Sequence, residues 1–128
     1  MPYATLIKYY VGCLLILGIL ACGSSLDKTL LHGTWQAVSL QENGQPGTTD
    51  LSETQFIFQP SGQYEYRSNI NYKEQGTYYL DGKFLVSKDT LQEAMPKSVK
   101  VEYLSADSLL FNMNSNGVPQ LLGLKKVK

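Results

Sequence analysis

Gly33-Thr34-Trp35 divides the 128-residue chain in two. Before it, the residues read as delivery and tether. From Thr34 onward the pattern is one of short strands, so the single Trp of the protein stands at the entrance to an all-β fold and is expected to plug it. Working outward toward the C-terminus, runs of five to seven residues rich in Val, Ile, Tyr, Phe and Thr alternate with Gly, Pro, Asn, Asp and Ser clusters. Eight such runs are expected as strands: Thr34–Leu40, Thr54–Gln59, Gln63–Ser68, Glu74–Leu80, Lys83–Ser87, Val99–Leu104, Ser108–Met113 and Gln120–Lys126.

The turns between them set the pairing. Pro60-Ser61-Gly62 separates Phe56 and Phe58 from Tyr64 and Tyr66, and spacing by two puts all four rings on one face of a hairpin. Asp81-Gly82 reads as a two-residue turn, which predicts Leu80 opposite Lys83 and Tyr78 opposite Leu85. Val99, Val101 and Tyr103 alternate with Lys100 and Glu102, so the three are expected to share the inner face. Gln41 to Leu51 has no apolar anchor before Leu51 and is expected to be a mobile flap. Lys88 to Lys97 carries the capping-box spacing Thr90 to Glu93, which allows either one helical turn or an irregular loop before Pro96.

Working toward the N-terminus, Gly23 to His32 is a short tether whose Leu30-Leu31 is expected to tuck under the domain as a turn of helix. Met1 to Ala21 has a polar start with Lys8, an apolar run from Val11 to Leu20 and a small residue before Cys22. Those are the parts of a secretory signal, and the run is short of the ~20 residues a spanning helix needs. Ile19-Leu20-Ala21-Cys22 resembles a bacterial lipobox. The resemblance implies cleavage before Cys22 and acylation of Cys22, palmitate among the acyl chains, with several chains holding the domain on the membrane. Gly23 after the cysteine implies the outer membrane. Cys13 leaves with the signal, so the mature chain would have no disulfide and no thiol nucleophile.

Charge and chemistry exclude several functions. Removing the first 21 residues takes away Lys8 and no acid, leaving a slight acidic excess. The basic cluster Lys125, Lys126 and Lys128 is confined to the chain end, so no nucleic-acid partner is expected. His32 is the only histidine, read as a surface residue, and no metal site or cofactor is implied. Acids at Glu53, Glu65, Glu74, Asp81, Glu93, Glu102 and Asp107 fall mostly in turns or at outward positions. No catalytic residue and no enzyme are expected.

Eight sequential strands joined by hairpins fit a small antiparallel up-and-down barrel, which removes sheet edges. Leu31-His32-Gly33-Thr34-Trp35, Phe56 to Tyr64, Gly76 to Gly82 and Asp107-Ser108-Leu109 resemble a bacterial lipocalin-like lipoprotein domain. The resemblance implies a signal at 1–21, a lipidated tether at 22–32 and a barrel at 33–128. It also implies that Trp35 packs across the closed end against Lys125 or Lys126, where the family usually has Arg. An envelope β-domain of the META type also opens with a Gly-x-Trp-like strand, although its Gly-Cys-Asn element is missing here, and a β-sandwich remains an alternative.

Phe56, Phe58, Tyr64, Tyr66, Tyr78, Tyr103, Phe111 and Met113 are the candidates for lining a ligand site, since tyrosine joins an apolar body to a polar tip. Two functions follow. One is a membrane-anchored, monomeric module binding a small apolar or amphipathic envelope molecule. The other is an interaction or inhibitor module for an envelope protein partner, with its barrel filled by its own side chains.

Overall fold

The computed structural model describes residues 26–68, 71–92, 95–115 and 117–128. The expected signal and the lipidation site Cys22 lie outside the described residues, as does Glu93. One helical turn, α1 (Lys28–Leu31), precedes nine strands: β1 (Gly33–Glu42), β2 (Gln45–Pro46), β3 (Gln55–Phe58), β4 (Gln63–Ser68), β5 (Tyr72–Asp81), β6 (Phe84–Asp89), β7 (Lys97–Leu104), β8 (Ser108–Ser115) and β9 (Val118–Lys126). From β3 to β9 each strand pairs antiparallel with the next, and β1 pairs with both β3 and β9. The sheet therefore closes on itself. The eight expected runs form the eight barrel strands, and β2 is a two-residue addition beside the far half of β1. The fold is an all-β, closed antiparallel up-and-down barrel, and the sandwich is excluded.

The inner face follows alternation. Trp35, Phe58, Tyr64, Tyr78, Leu85, Val101, Leu109, Phe111, Leu122 and Leu124 are buried in one core together with Leu31 and Ala37. Phe56 pairs with Tyr66 and Phe58 with Tyr64, so the expected four-ring face is present. Alternation breaks at two bulges. In β1 the register to β9 shifts between Ala37 and Ser39, so Leu40 rather than Ser39 turns inward onto the core.

In β7 the register to β8 shifts between Val101 and Tyr103. This corrects the sequence expectation for Tyr103: the extra residue re-aims the strand, Tyr103 points outward at 57% exposure, and Leu104 packs on the core in its place.

Three further expectations change. At the β5–β6 turn Asp81 pairs with Phe84 and Leu80 with Leu85, so the loop is Gly82-Lys83. Gly82 at φ +59 occupies the first central position, as in a type II′ turn. The slip keeps the parity of the pairing, so Tyr78 and Leu85 still share the inner face.

The stretch expected as a mobile flap instead begins as a hairpin. Asn43 and Gly44 both have positive φ, Glu42 pairs with Gln45, and Leu51 packs against the core. The Gln36 side-chain amide closes the gap where β1 and β3 part. It lies 2.9 Å from Leu51 O and 3.2 Å from Thr54 O, and its own carbonyl accepts from Gln55.

The segment after β6 is irregular among its described residues, with Asp89 accepting from Leu91 N at 2.8 Å. His32, expected at the surface, is half-buried, and its Nε2 is buried with no hydrogen-bond partner among the described residues.

Candidate functional site

One end of the barrel is sealed by residues that meet at α1. Asp27 caps the turn by accepting from Thr29 N at 3.0 Å, and Leu31 is thereby carried under the barrel, fully buried. The Trp35 indole N–H donates to Leu31 O at 2.8 Å, so the largest buried side chain also satisfies a helix-end carbonyl. Lys126 crosses above. Its Nζ stands 4.9 Å from the Trp35 ring centroid and donates to Leu30 O at 3.0 Å. Of the two lysines expected here, Lys126 holds the position over the ring, whereas Lys125 is exposed and donates to Ser108 Oγ at 2.7 Å. Gly33 is favoured by its conformation, φ +130, and a Cβ there would crowd Lys126 Cε at 3.2 Å.

Away from the seal, the inner rings leave a cavity. Phe56 is the hub: it stacks parallel to Phe58 at 5.8 Å, meets Tyr66 at 4.7 Å and takes Phe111 edge-on at 5.7 Å. Tyr66 in turn meets Tyr72 at 5.9 Å. These rings, with Leu85, Val99 and Met113, wall a cavity of about 200 Å³. Phe56, Tyr66 and Met113 also separate it from a second hollow of about 250 Å³ toward Leu51 and Gln120. Six of the eight candidate lining residues, Phe56, Phe58, Tyr64, Tyr66, Phe111 and Met113, face the first cavity. Tyr78 lies beneath it, edge-on to Phe58 at 5.1 Å, with its hydroxyl donating to Gln59 O at 2.7 Å. Tyr103 is on the outer wall.

The polar part of the wall was missed by sequence reading. Glu74, one of the acids expected mostly in turns or at outward positions, is 8% exposed and lines the cavity. Its Oε2 accepts from Tyr64 OH at 2.8 Å, its Oε1 accepts from Tyr72 OH at 3.3 Å, and Lys97 Nζ lies 3.6 Å from Oε1. Burial, then the hydrogen bond to Glu74, push the Tyr64 phenol far above its ordinary value. The charge of Glu74, then burial, raise Tyr72. Both phenols therefore remain donors at neutral pH.

The signal that could have found this set is parity. Tyr72, Glu74, Gly76 and Tyr78 lie on one face of β5, Leu85 and Ser87 on one face of β6, and Lys97, Val99 and Val101 on one face of β7. Ser87 and Lys97 join the lining by that rule. The arrangement is an apolar pocket with a small polar edge, suited to holding a molecule.

The chain resembles known proteins over most of its length. A family model described as a lipocalin-like domain matches residues 31–111. Among solved structures, a lipocalin-like protein from Bacteroides uniformis is 21% identical, with a TM-score of 0.60 over 77% of this chain and 99% of that one. An uncharacterized protein from Bacteroides eggerthii is 16% identical, with a TM-score of 0.56 over 76% of this chain and 99% of that one. No curated protein matches the chain. With the Gly33–Trp35 seal, the closed eight-stranded barrel and a family match that starts at the seal and runs into β8, the chain belongs to the lipocalin-like domain family.

Proposed function

We propose that this protein is a membrane-anchored binding module that holds a small apolar or amphipathic molecule in the cavity beside Phe56, without covalent chemistry. The observation that carries the reading is the cavity itself. It measures about 200 Å³ in a barrel narrow enough for side chains alone to fill, and its walls are rings with one polar edge. An engineered apolar cavity of ~150 Å³ already takes benzene, so this one accommodates a ring or a short alkyl body. Anchoring rests on the Met1 to Ala21 signal and acylation of Cys22 in the outer membrane of a bacterial envelope.

Native mass spectrometry of the full chain, gently extracted from its host membrane, tests the binding reading. A discrete adduct that exchanges for added ligand supports it, and a clean apo mass at every extraction condition counts against it. Labelled palmitate tests the anchor: incorporation is expected in the wild-type chain and lost in Cys22→Ser.

A second reading, contact with another envelope protein, draws on the outer wall. Tyr79 is 61% exposed there and Phe84 46%, on the neighbouring strands β5 and β6. Crosslinking from those positions is its test.

A further inference from the structure

The edge of the cavity carries buried negative charge that its neighbours leave largely uncompensated. Glu74 is held by two phenols, which are neutral donors and leave its charge in place. Among the described residues its ion-pair partner is Lys97, at 3.6 Å, and the Lys97 side chain is 66% exposed. A pair that long with so solvated a cation is weak. A second acid, Asp89, is 5% exposed and accepts from the backbone N–H of Leu91. It adds only a minor upward push to the Tyr64 and Tyr72 phenols, behind Glu74. Two buried carboxylates thus stand against one lysine that lies mostly in water.

Around them are aromatic faces. Phe56, Tyr66 and Phe111 enclose the cavity, and Tyr72 spans from the ring cluster to the Glu74 carboxylate. A desolvated carboxylate beside π-faces recognises a cation, by charge-assisted hydrogen bonding and by the ring quadrupole together. An anionic head group would meet Glu74 and the field of Asp89, and among the described lining residues the one cation in its favour is Lys97.

We propose that the cavity takes a small organic cation, an ammonium group on an aryl or short alkyl body, with the cation displacing Lys97 at Glu74 and the apolar body seated against the Phe56 and Phe111 rings. The inference rests on the binding reading above and names its ligand class.

Calorimetric titration of the full chain in a maltoside detergent, against micelle blanks, tests it with three probes of matched body: 2-phenylethylamine, 2-phenylethanol and 3-phenylpropanoate. The amine is expected to bind most tightly. Glu74→Gln, which keeps an acceptor for Tyr64, is expected to weaken the amine roughly tenfold and the alcohol far less, whereas Lys97→Met is expected to tighten the amine. If the alcohol or the carboxylate binds as well as the amine, or Glu74→Gln leaves the amine unaffected, the cation assignment is overturned and the binding reading stands. If no probe of any charge binds, both fall.

Discussion

Gly33, Trp35 and Lys126 form one unit, and each makes the others necessary. Glycine supplies the φ of +130 and the room for the lysine stem, the stem reaches Leu30 O, and the ring it crosses bonds Leu31 O. Truncating a fully buried Trp in such a seal, as in Trp35→Ala, is expected to cost about 3–5 kcal/mol, read from urea midpoints. Trp35→Phe should cost less, through a hydrogen bond lost and a smaller ring.

The two lysines give a sharper comparison. Lys126→Met removes the cation from the ring and the bond to Leu30 O, and is expected to cost about 1–2 kcal/mol. Lys125→Met should stay within about 0.5 kcal/mol, as surface substitutions do. Equal effects at the two positions would contradict the geometry. The sequence motif was sufficient to place Trp35. It could not choose between adjacent lysines, because that depends on the register of β9 against β1, where Trp35 faces Lys126.

At the scale of the elements, turn chemistry was more legible than register. Every barrel strand was readable from β-branched and aromatic runs between breakers, yet one slip and two bulges moved individual side chains. The slip at Gly82-Lys83 was harmless because it preserved parity. The bulge before Tyr103 was not, and no local residue announces it: Glu102 is an ordinary strand residue until the pairing with β8 is known. Asn43-Gly44 was the reverse case, a strong hairpin signal passed over because the residues around it are polar.

Gly76 shows how tightly paired strands use a missing side chain. A Cβ there would run into the Lys88 carbonyl and come within 3.0 Å of the Tyr64 ring. Gly76→Ala is therefore expected to destabilise by about 1–3 kcal/mol through overpacking, and to disturb the cavity edge because Tyr64 must move from Glu74. Thermal melts together with the near-ultraviolet tyrosine signal would check both parts, and an unchanged melt would show that β5 and β6 can separate at no cost.

For the whole molecule, closure and cavity come from the same alternation, which is why the barrel was legible and the state of its interior was not. Alternation says which rings point inward. It does not say whether they fill the space they face: Phe56 meets both Tyr66 and Phe111, and the cavity is left between that cluster and Leu85 and Val99 on β6 and β7.

The same inside–outside division sets the pH range of stability. On the outside, the Thr29 hydroxyl holds Asp27, the Asn112 amide holds Glu102 and the Ser105 hydroxyl holds Asp107 below their ordinary values. A depressed folded value means stability present above the unfolded value and lost as pH falls through the folded one. Inside, burial raises Tyr64 and Tyr78, and the charge of Glu74 raises Tyr72. For these the folded chain keeps protons that the unfolded chain releases, so stability is complete below the phenol value of about 10 and falls above it.

Urea midpoints across pH are therefore expected to form a plateau with an alkaline flank that begins near pH 10. Tyr64→Phe should flatten that flank, because its phenol is the one most strongly raised. An alkaline flank that survives Tyr64→Phe intact would mean that the phenol at the cavity edge is not desolvated, and the cavity would then have to be wetter than its walls imply.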